Sequence, residues 1–313
     1  MKRLFITSFM MLLALPFTFG QIAVQYGTIG RGGNAAQKPP KIIDTAVIQV
    51  TYQVRSIIDS LAPDRVTEDK MVLQIGKNRI SKFFADTRVR DSIMQATIER
   101  ARASGAESVT LRQQNMQMQG GPMGSGDQSI VFKNYPSGSV TVTDRVMMDI
   151  YSYSESTNGI VWEILPDTDT IMYYTCQKAI TTFRGRKYEA WFTPDIPVND
   201  GPWKFCGLPG LILKVFDHRQ HYLFECTSIE QITMQIEFAD FDYLKTNRRD
   251  LARIKRKFYE DPVAAMESMR ASVPAGANVR VVTRNADGTA TSDMNEIRNN
   301  LRNRAYNPIE LDL

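Results

Sequence analysis

The sequence predicts an α+β fold that is mainly antiparallel β, with a strongly curved, half-barrel-like meander sheet packed on a helix and a C-terminal helix. Three observations predict it. Alternating apolar and polar residues recur in many short segments, turn sequences separate them at hairpin spacing, and helical periodicity is confined to two places. Because most strands follow one another without intervening helices, a doubly wound α/β fold is excluded. The curvature is inferred by analogy with the half-barrels of periplasmic lipid carriers.

Residues 1–20 have the pattern of a signal peptide. Lys2 and Arg3 precede an apolar run that ends at Phe19, and small residues mark a cleavage point near Gly20. The apolar run is too short to span a bilayer comfortably, and we expect no transmembrane span in the mature chain. The protein is therefore expected to be exported, and to be periplasmic or outer-membrane-associated.

Residues 21–44 are predicted to be a flexible leader, because they are rich in glycine and contain a Lys-Pro-Pro-Lys sequence. The two basic residues of the signal peptide belong to a total of 38, against 34 acidic residues, so the mature chain is close to neutral. A neutral, exported chain lacks the basic surface that nucleic-acid binding requires, and no nucleic-acid partner is expected.

Residues 45–262 are predicted to form a single domain. It begins with strands in IQVTYQV and MVLQI, and a turn at residues 76–79 joins the second of these to the next strand as a hairpin. Residues 86–104 have helical periodicity, with an Asp or Thr in position to cap the first turn. Residues 112–127 are rich in Met, Gln and Gly, which predicts a flexible insertion.

The rest of the domain is predicted as strands joined by tight turns at residues 166–169, 184–186 and 217–220. A basic helix is predicted between Asp242 and Arg270. Arg184 and Arg186 are interpreted as a solvated hairpin end, with a small positive contact surface as the alternative. Residues 263–313 are weakly patterned and are predicted to be a loosely ordered tail.

The segment from Tyr188 to Asp217 is predicted as a strand, a structured loop and a second strand. In one hypothesis the aromatic residues of the loop close one end of the sheet as part of the core. In the other they bind a ligand or a partner, because loops carry many binding residues. The candidate binding residues are Trp191, Trp203, Phe205, Leu208 and Pro209.

The hexad at residues 207–212, GLPGLI, resembles the signature of the GLPGLI family of exported bacterial proteins. Further motifs that resemble the family are DKM at 69–71, SKF at 81–83, CQKA at 176–179, FRGR at 183–186 and AWF at 190–192. The resemblance extends over about residues 48–262. It implies an exported protein of the Bacteroidota, in a group whose genes often neighbour those of outer-membrane TonB-dependent transporters. It implies no catalytic residues.

His218 and His221 are weak candidates for a metal site with Asp217. Three residues apart on a strand, the two imidazoles would point to opposite faces, and zinc requires three or four converging ligands. Two ordinary histidines beside a turn are the favoured interpretation, and no cofactor is expected. Thioether ligands that would suit Cu(I) are present in the predicted insertion at Met116, Met118 and Met123, where a polar flexible segment is the favoured interpretation.

One disulfide is expected among Cys176, Cys206 and Cys226, because an exported protein enters an oxidising compartment. The spacing does not decide which two of them pair. A nucleophilic cysteine is disfavoured because no histidine has a clear route to activate one, and the Gly-x-Ser-x-Gly sequence of serine hydrolases is missing. No catalytic residue is therefore predicted.

The sequence is compatible with three classes of function. The first is a non-enzymatic binding or carrier module of the cell envelope that holds a hydrophobic ligand or peptide. The second is a structural or accessory partner of an outer-membrane TonB-dependent transporter. The third, an enzyme of unrecognised type, ranks below both because aromatic residues are abundant while convergent polar groups are not. A large apolar cavity would favour a carrier, and a filled interior with exposed apolar side chains would favour a partner protein.

Overall fold

The computed structural model describes residues 22–26, 39–86, 129–146, 149–157, 159–261, 263–264, 267, 279–284, 290–291, 293, 295, 298–299 and 305–312. The predicted signal peptide lies outside the described residues. So do the helix predicted to follow Asp86 and the insertion at 112–127 with its three methionines.

Strands account for most of the regular structure. Their bounds are β1 Ile22–Tyr26, β2 Lys41–Ser56, β3 Thr67–Gly76, β4 Ser81–Ala85, β5 Ile130–Lys133, β6 Ser139–Val146, β7 Asp149–Ser156, β8 Glu163–Ile171, β9 Tyr174–Phe183, β10 Arg186–Thr193, β11 Leu211–Asp217, β12 Tyr222–Phe238, β13 Leu244–Lys245, β14 Val279–Arg284 and β15 Ala290–Thr291. A helix, α1, spans Arg248–Glu260.

Twelve of these strands form one sheet in the order β13-β7-β6-β5-β4-β3-β2-β12-β11-β10-β9-β8. The long strands β2 and β12 pair near its middle and join two meanders, one from β2 to β7 and one from β8 to β12. Of the strands in the described residues, only β13 runs parallel to its neighbour in this sheet, so the sheet is mixed. Strands β1, β14 and β15 make a separate three-stranded sheet.

The predicted α+β class with a strongly curved, half-barrel-like sheet is wrong. The fold is mostly β, and the sheet is neither closed nor strongly curled. Strands β7 and β8 follow each other in the chain but lie toward opposite ends of the strand order without pairing. Among the described residues the sheet therefore ends at β13 and at β8 and does not close. Alternation of residues predicts which segments are strands and which face is buried. It does not predict the curvature, which depends on how distant strands pair.

The turn predicted at residues 166–169 is also wrong. Pro166 lies inside β8, where the pairing register with β9 shifts between Ile164 and Thr168. Because β8 is an edge strand, a proline without an N–H group is tolerated there. The chain reverses instead at Met172 and Tyr173, which both have positive φ. By contrast, the turns predicted at 76–79, 184–186 and 217–220 each join an antiparallel pair.

The predicted flexible leader overlaps β2, which begins at Lys41 and pairs with the end of β12. The buried carboxylate of Asp44 explains part of this order. It accepts hydrogen bonds from the backbone N–H of Asn78 at 2.9 Å and of Ile80 at 3.3 Å, and it thereby fixes the β3–β4 turn. A side chain at Gly76 would collide with this carboxylate, because an added Cβ would lie 2.1 Å from Asp44 Oδ2.

Helix α1 is shorter than the predicted basic helix. It begins after Asn247, whose side chain accepts a hydrogen bond from the backbone N–H of Asp250, and it ends at Glu260, with Asp261 as its C-cap before a proline. The apolar side of the helix buries Leu251. Lys255 extends to the sheet and forms an ion pair of 2.7 Å with Asp144 on β6.

Candidate functional site

The β10–β11 loop (residues 194–210) folds back over the buried face of the sheet. Trp203, Phe205 and Leu208 are at most 4% exposed. The ring of Phe205 lies 5.2 Å from the ring of Trp203 and 4.8 Å from that of Tyr188, in edge-to-face contacts. It also contacts Phe224 on β12 at 6.1 Å. Three of the five candidate binding residues are therefore part of the core.

The other two candidates lie elsewhere. Pro209 is exposed at the end of the loop. Trp191 lies on the outer face of the sheet, partly buried, where its indole N–H donates a hydrogen bond of 3.0 Å to Glu189. Lys178 stacks over its ring at 5.7 Å and pairs with the same Glu189 at 2.9 Å. The five candidates do not converge on one site.

Two glycines explain how the loop can pack so closely. Gly207 has φ of +104°, a conformation that a side chain would strain. At Gly210 an added Cβ would lie 2.1 Å from the carbonyl oxygen of Thr193, so the hexad passes against β10 with no room for a side chain. Backbone geometry thus explains the two glycines of the GLPGLI hexad.

A buried lysine from β5 ties down the polar part of the loop. Lys133 forms an ion pair of 2.6 Å with Asp200 and donates hydrogen bonds to the carbonyl oxygens of Gly201 and Trp203. A buried ammonium group is stable only when it is paired and hydrogen-bonded in this way. The contacts hold Trp203 in place although its φ is positive, at 49°.

A second group of charges lies where the loop meets the C-terminus. We call it the ionic cluster, and its members are Glu155, Arg184, Lys204, Arg248, Glu310 and Asp312. At its centre the ammonium group of Lys204 lies 2.5 Å from Glu155 and 2.6 Å from Glu310, and it donates to the Tyr153 hydroxyl at 2.9 Å. Burial alone would lower the pKa of Lys204, but Tyr153, Glu310 and Glu155 together raise it above its ordinary value.

The two arginines surround this centre. Arg184 pairs with Glu155 at 2.6 Å, and Arg248 of helix α1 pairs with Asp312 at 2.7 Å and with Glu310 at 3.6 Å. The Nε of Arg184 is buried, makes no hydrogen bond among the described residues, and lies 3.8 Å from Glu310.

The C-terminal strap (residues 305–312) supplies two acids of this cluster. It crosses the β9–β10 turn, where the N–H of Leu311 donates a hydrogen bond of 2.8 Å to the carbonyl oxygen of Arg184. At its other end Asn307 is buried and donates from its side chain to the carbonyl oxygen of Ile57 at 2.6 Å. Residues 305–312 thus pack against the domain, although the sequence places them in a loosely ordered tail.

Arg186 is the main anchor of the strap. It is 3% exposed, and it forms an ion pair of 3.0 Å with Asp217, which is 1% exposed. It also donates hydrogen bonds to the carbonyl oxygens of Pro308 at 2.6 Å and Ile309 at 3.1 Å. The interpretation of Arg186 as part of a solvated hairpin end is therefore wrong.

The two histidines occupy different environments. His218 is exposed on the β11–β12 turn. His221 lies beside the strap, with its Nδ1 3.3 Å from Arg186 Nη1 and 3.2 Å from the amide nitrogen of Asn307. Both neighbours are donors, so this nitrogen acts as an acceptor. The described part of the chain contains no group of three His, Cys, Asp or Glu side chains that could hold a metal ion.

All three cysteines are free thiols in the structure, and Cys176 and Cys226 are buried. Burial raises the pKa of Cys176 to about 11 and that of Cys226 to about 12, and it also raises the pKa of Cys206. Thiols with raised pKa values are poor nucleophiles at neutral pH, because the thiolate is the reactive form. The disulfide stays a prediction.

Two buried tyrosines follow the same trend. Burial raises the pKa of Tyr153 to about 12, and the pKa of Tyr188 is also raised by burial. Lys82 on β4 differs, because burial lowers its pKa. Its ammonium group donates to the carbonyl oxygen of Glu237 at 3.3 Å and lies over the ring of Phe84.

Sequence reasoning missed the ionic cluster and the strap. Lys204 lies within the aromatic loop, and Glu310 lies 106 residues later in the chain. The one available signal was the charge of Lys204 itself, because a lysine between Trp203 and Phe205 in a segment predicted to be core requires a buried acid.

Comparisons with known proteins add a family match to a short part of the chain. Residues 184–214 match the model of a family described as a protein of unknown function, Porph_ging. This range runs from the β9–β10 turn through the aromatic loop into β11, the segment that also carries the GLPGLI hexad. The match supports a domain of unknown function, and it does not confirm the GLPGLI name. A comparison with curated proteins finds no match.

Similar solved structures include PNGF-II in two crystal forms. In the P21 form the sequence identity is 15% and the TM-score is 0.42, and the match covers 67% of this chain and 33% of PNGF-II. In the C2 form the values are 14%, 0.43, 67% and 32%. The chain therefore spans about a third of that protein. Among the described residues, none of the helices has the length and apolar character needed to cross a membrane.

Proposed function

We propose that the protein is an exported, non-enzymatic binding module of the cell envelope that binds a protein or peptide partner at its surface. The observation that carries this proposal is the packing of Trp203, Phe205 and Leu208. Because these side chains fill the core against one another and against Phe224, they are not available to line a cavity for a hydrophobic ligand. A surface contact is then better supported than an enclosed ligand.

Two buried thiols and a buried tyrosine support a non-enzymatic function. General acids, bases and nucleophiles need pKa values close to the working pH. The thiols of Cys176 and Cys226 and the hydroxyl of Tyr153 are shifted away from neutrality, and burial keeps them in their unreactive protonated forms. The raised pKa of Lys204 keeps that amine charged.

Exposed apolar side chains at one sheet edge support a protein partner. Val161 is 84% exposed, Tyr173 is 100% exposed, and both lie next to the ends of β8, where Ile164 is also exposed. The edge itself carries Pro166 and acidic residues, which discourage indiscriminate strand pairing. The partner that we propose is an outer-membrane TonB-dependent transporter, because the resemblance of the sequence to exported GLPGLI proteins implies that neighbourhood.

Site-specific photo-crosslinking in the native envelope tests this proposal. A crosslinking amino acid is placed at Tyr173 on the sheet edge, at Leu311 on the strap and, as an exposed control, at Arg256 on helix α1. We expect an outer-membrane transporter to be captured from position 173 or 311 and not from position 256. Capture of no transporter, together with a lipid or other hydrophobic molecule retained in native mass spectrometry, would refute the proposal in favour of a carrier.

Export is tested on the same material. Sequencing the amino terminus of the purified protein should give Gln21 as the first residue, and fractionation should place the protein in the envelope. An intact amino terminus on a cytoplasmic protein would contradict the proposed location.

A further inference from the structure

We propose that the groove filled by the C-terminal strap is a binding site for an extended acidic peptide of a partner protein, and that the strap occupies it as an intramolecular ligand. This inference rests on the proposed function, because a partner protein must supply the peptide. It adds the location of the site and the chemistry that the site recognises.

The groove binds the backbone of the strap as peptide-binding sites do. Four successive or near-successive carbonyl oxygens accept hydrogen bonds from groups outside the strap. The N–H of Ser60 donates to the carbonyl oxygen of Ala305 at 3.0 Å, and the hydroxyl of Tyr222 donates to that of Asn307 at 2.6 Å. Arg186 donates to the carbonyl oxygens of Pro308 at 2.6 Å and Ile309 at 3.1 Å. Such contacts hold any extended peptide, and the side chains then decide which sequence is preferred.

Three side chains of the strap make specific contacts with the groove. The amide of Asn307 accepts from Arg186 at 2.6 Å and donates to the carbonyl oxygen of Ile57 at 2.6 Å. Glu310 reaches the buried ammonium of Lys204, and Asp312 pairs with Arg248. The groove therefore selects an asparagine followed by carboxylates three and five residues later.

The charge of the groove favours an acidic occupant. Among the described residues of the ionic cluster, three cations (Arg184, Lys204 and Arg248) belong to the groove, whereas only one acid, Glu155, does. The strap contributes the other two acids and balances the cluster. With the strap displaced, the groove would hold two uncompensated positive charges, and burial makes such an excess costly.

The strap leaves one donor of the groove unused. The Nε of Arg184 is buried and makes no hydrogen bond to any described residue, and the carboxylate of Glu310 on the strap lies 3.8 Å away. Arginine binds a carboxylate best through two parallel N–H groups, and an unmade buried hydrogen bond costs free energy. A peptide with a carboxylate about one ångström closer to Arg184 would therefore bind more tightly than the strap.

The same reasoning favours a foreign peptide over a second copy of this chain. The strap of a second copy has the same sequence, so it gains no contact that the resident strap lacks. The resident strap also has the advantage of its covalent tether, which gives an effective concentration on the order of millimolar. Only a peptide of different sequence, or one held at high local concentration, can displace it.

The test uses the full chain with a protease site inserted at Asn303, just before the strap. The chain is folded intact and then cleaved, and the probe is a fluorescent peptide of residues 304–313. We expect the cleaved protein to stay folded, as judged by circular dichroism, and to exchange its strap for the probe. The uncleaved protein should bind the probe at least about tenfold more weakly, because the tethered strap competes.

Matched probes test the chemistry. A peptide with Glu310→Gln and Asp312→Asn should bind the cleaved protein at least about tenfold more weakly than the unaltered peptide does. Raised salt should reduce this difference in affinity between the two peptides. A library randomised at positions 309–312 should yield acidic peptides that bind more tightly than the strap. The proposal is overturned if the strap leaves only when the whole domain unfolds, if neutral and acidic probes bind the cleaved protein equally, or if the uncleaved protein forms strap-exchanged dimers in preference to binding the probe.

These results are separable from those of the envelope crosslinking. Exchange of an acidic peptide in the purified protein, without a transporter captured in the envelope, would keep the peptide site and refute the transporter as its partner. Capture of a transporter only from position 173, together with a strap that never exchanges, would keep the transporter as the partner and refute the peptide site.

Discussion

The β10–β11 loop and the C-terminal strap meet at Lys204, yet different forces hold them in place. The loop is held mainly by aromatic packing, with Phe205 fully buried among five other rings. The strap is held mainly by ion pairs and hydrogen bonds to its backbone. Asn307, Pro308 and Glu310 are its buried residues, and Ile309 packs against the core. Core packing has no preferred direction, but it requires side chains that fill the available volume. The polar contacts of the strap can be reproduced by another peptide that carries the same groups. This difference is why we assign the loop to stability and the strap groove to recognition.

Replacing the central ring of the loop gives the largest expected effect. Phe205→Ala should lower the free energy of unfolding by about 4 kcal/mol, because it removes a fully buried ring and leaves a cavity. Pro209→Ala, in the same loop but exposed, should lower it by less than about 1 kcal/mol, because it only frees the unfolded chain. Urea denaturation of both variants measures the difference. A Phe205→Ala effect below about 1 kcal/mol would mean that the loop does not belong to the core.

Removing the charge of Lys204, where the loop and the strap meet, should have the second largest effect on stability. Lys204→Met should lower the free energy of unfolding by about 3 kcal/mol, because the buried carboxylate of Glu310 and the partly buried carboxylate of Glu155 lose their shared partner. Lys214→Met is the matched control, since its pair with Glu225 lies on the exposed face and should contribute less than about 1 kcal/mol. Equal losses in the two variants would show that the ionic cluster does not depend on burial.

The contrast between loop and strap also explains what the sequence could predict. Strands such as β11, and the burial of Phe205 and Leu208, follow from residue alternation and apolar character within a short window. The partner of Lys204 could not be predicted in this way, because Glu310 lies in a polar segment 106 residues later and carries no local pattern. The edge position of β8 was missed for a related reason. Pro166 is incompatible with a central strand, but it is compatible with both an edge strand and a turn. Only the strand order of the whole sheet shows that this segment is an edge strand.

The third prediction concerns pH and the tyrosine that contacts Lys204. Burial raises the pKa of Tyr153 from 10.0 to about 12, although the charge of Lys204 opposes the shift. Since the folded protein retains this proton more tightly than the unfolded chain, the stabilisation is fully present below pH 10 and is lost as the pH rises to about 12. Over that interval the wild type should lose about 2 kcal/mol more than Tyr153→Phe, which has no phenol to titrate. Denaturation curves for both proteins, each referenced to its own value at neutral pH, give the comparison. Parallel curves would mean that Tyr153 is as accessible to solvent in the folded state as in the unfolded chain.

The smallest expected effect separates the two acids of the strap. Asp312 is partly exposed, with 42% of its side chain accessible, whereas Glu310 has 10%. Asp312→Asn should therefore lower the free energy of unfolding by only about 0.5 kcal/mol, because solvent screens its pair with Arg248. Glu310→Gln should cost at least about 1.5 kcal/mol, because it leaves the buried ammonium of Lys204 with one carboxylate instead of two. If both variants lost the same small amount, the strap would be held by its backbone contacts alone. The groove would then bind extended peptides without preference for acidic ones.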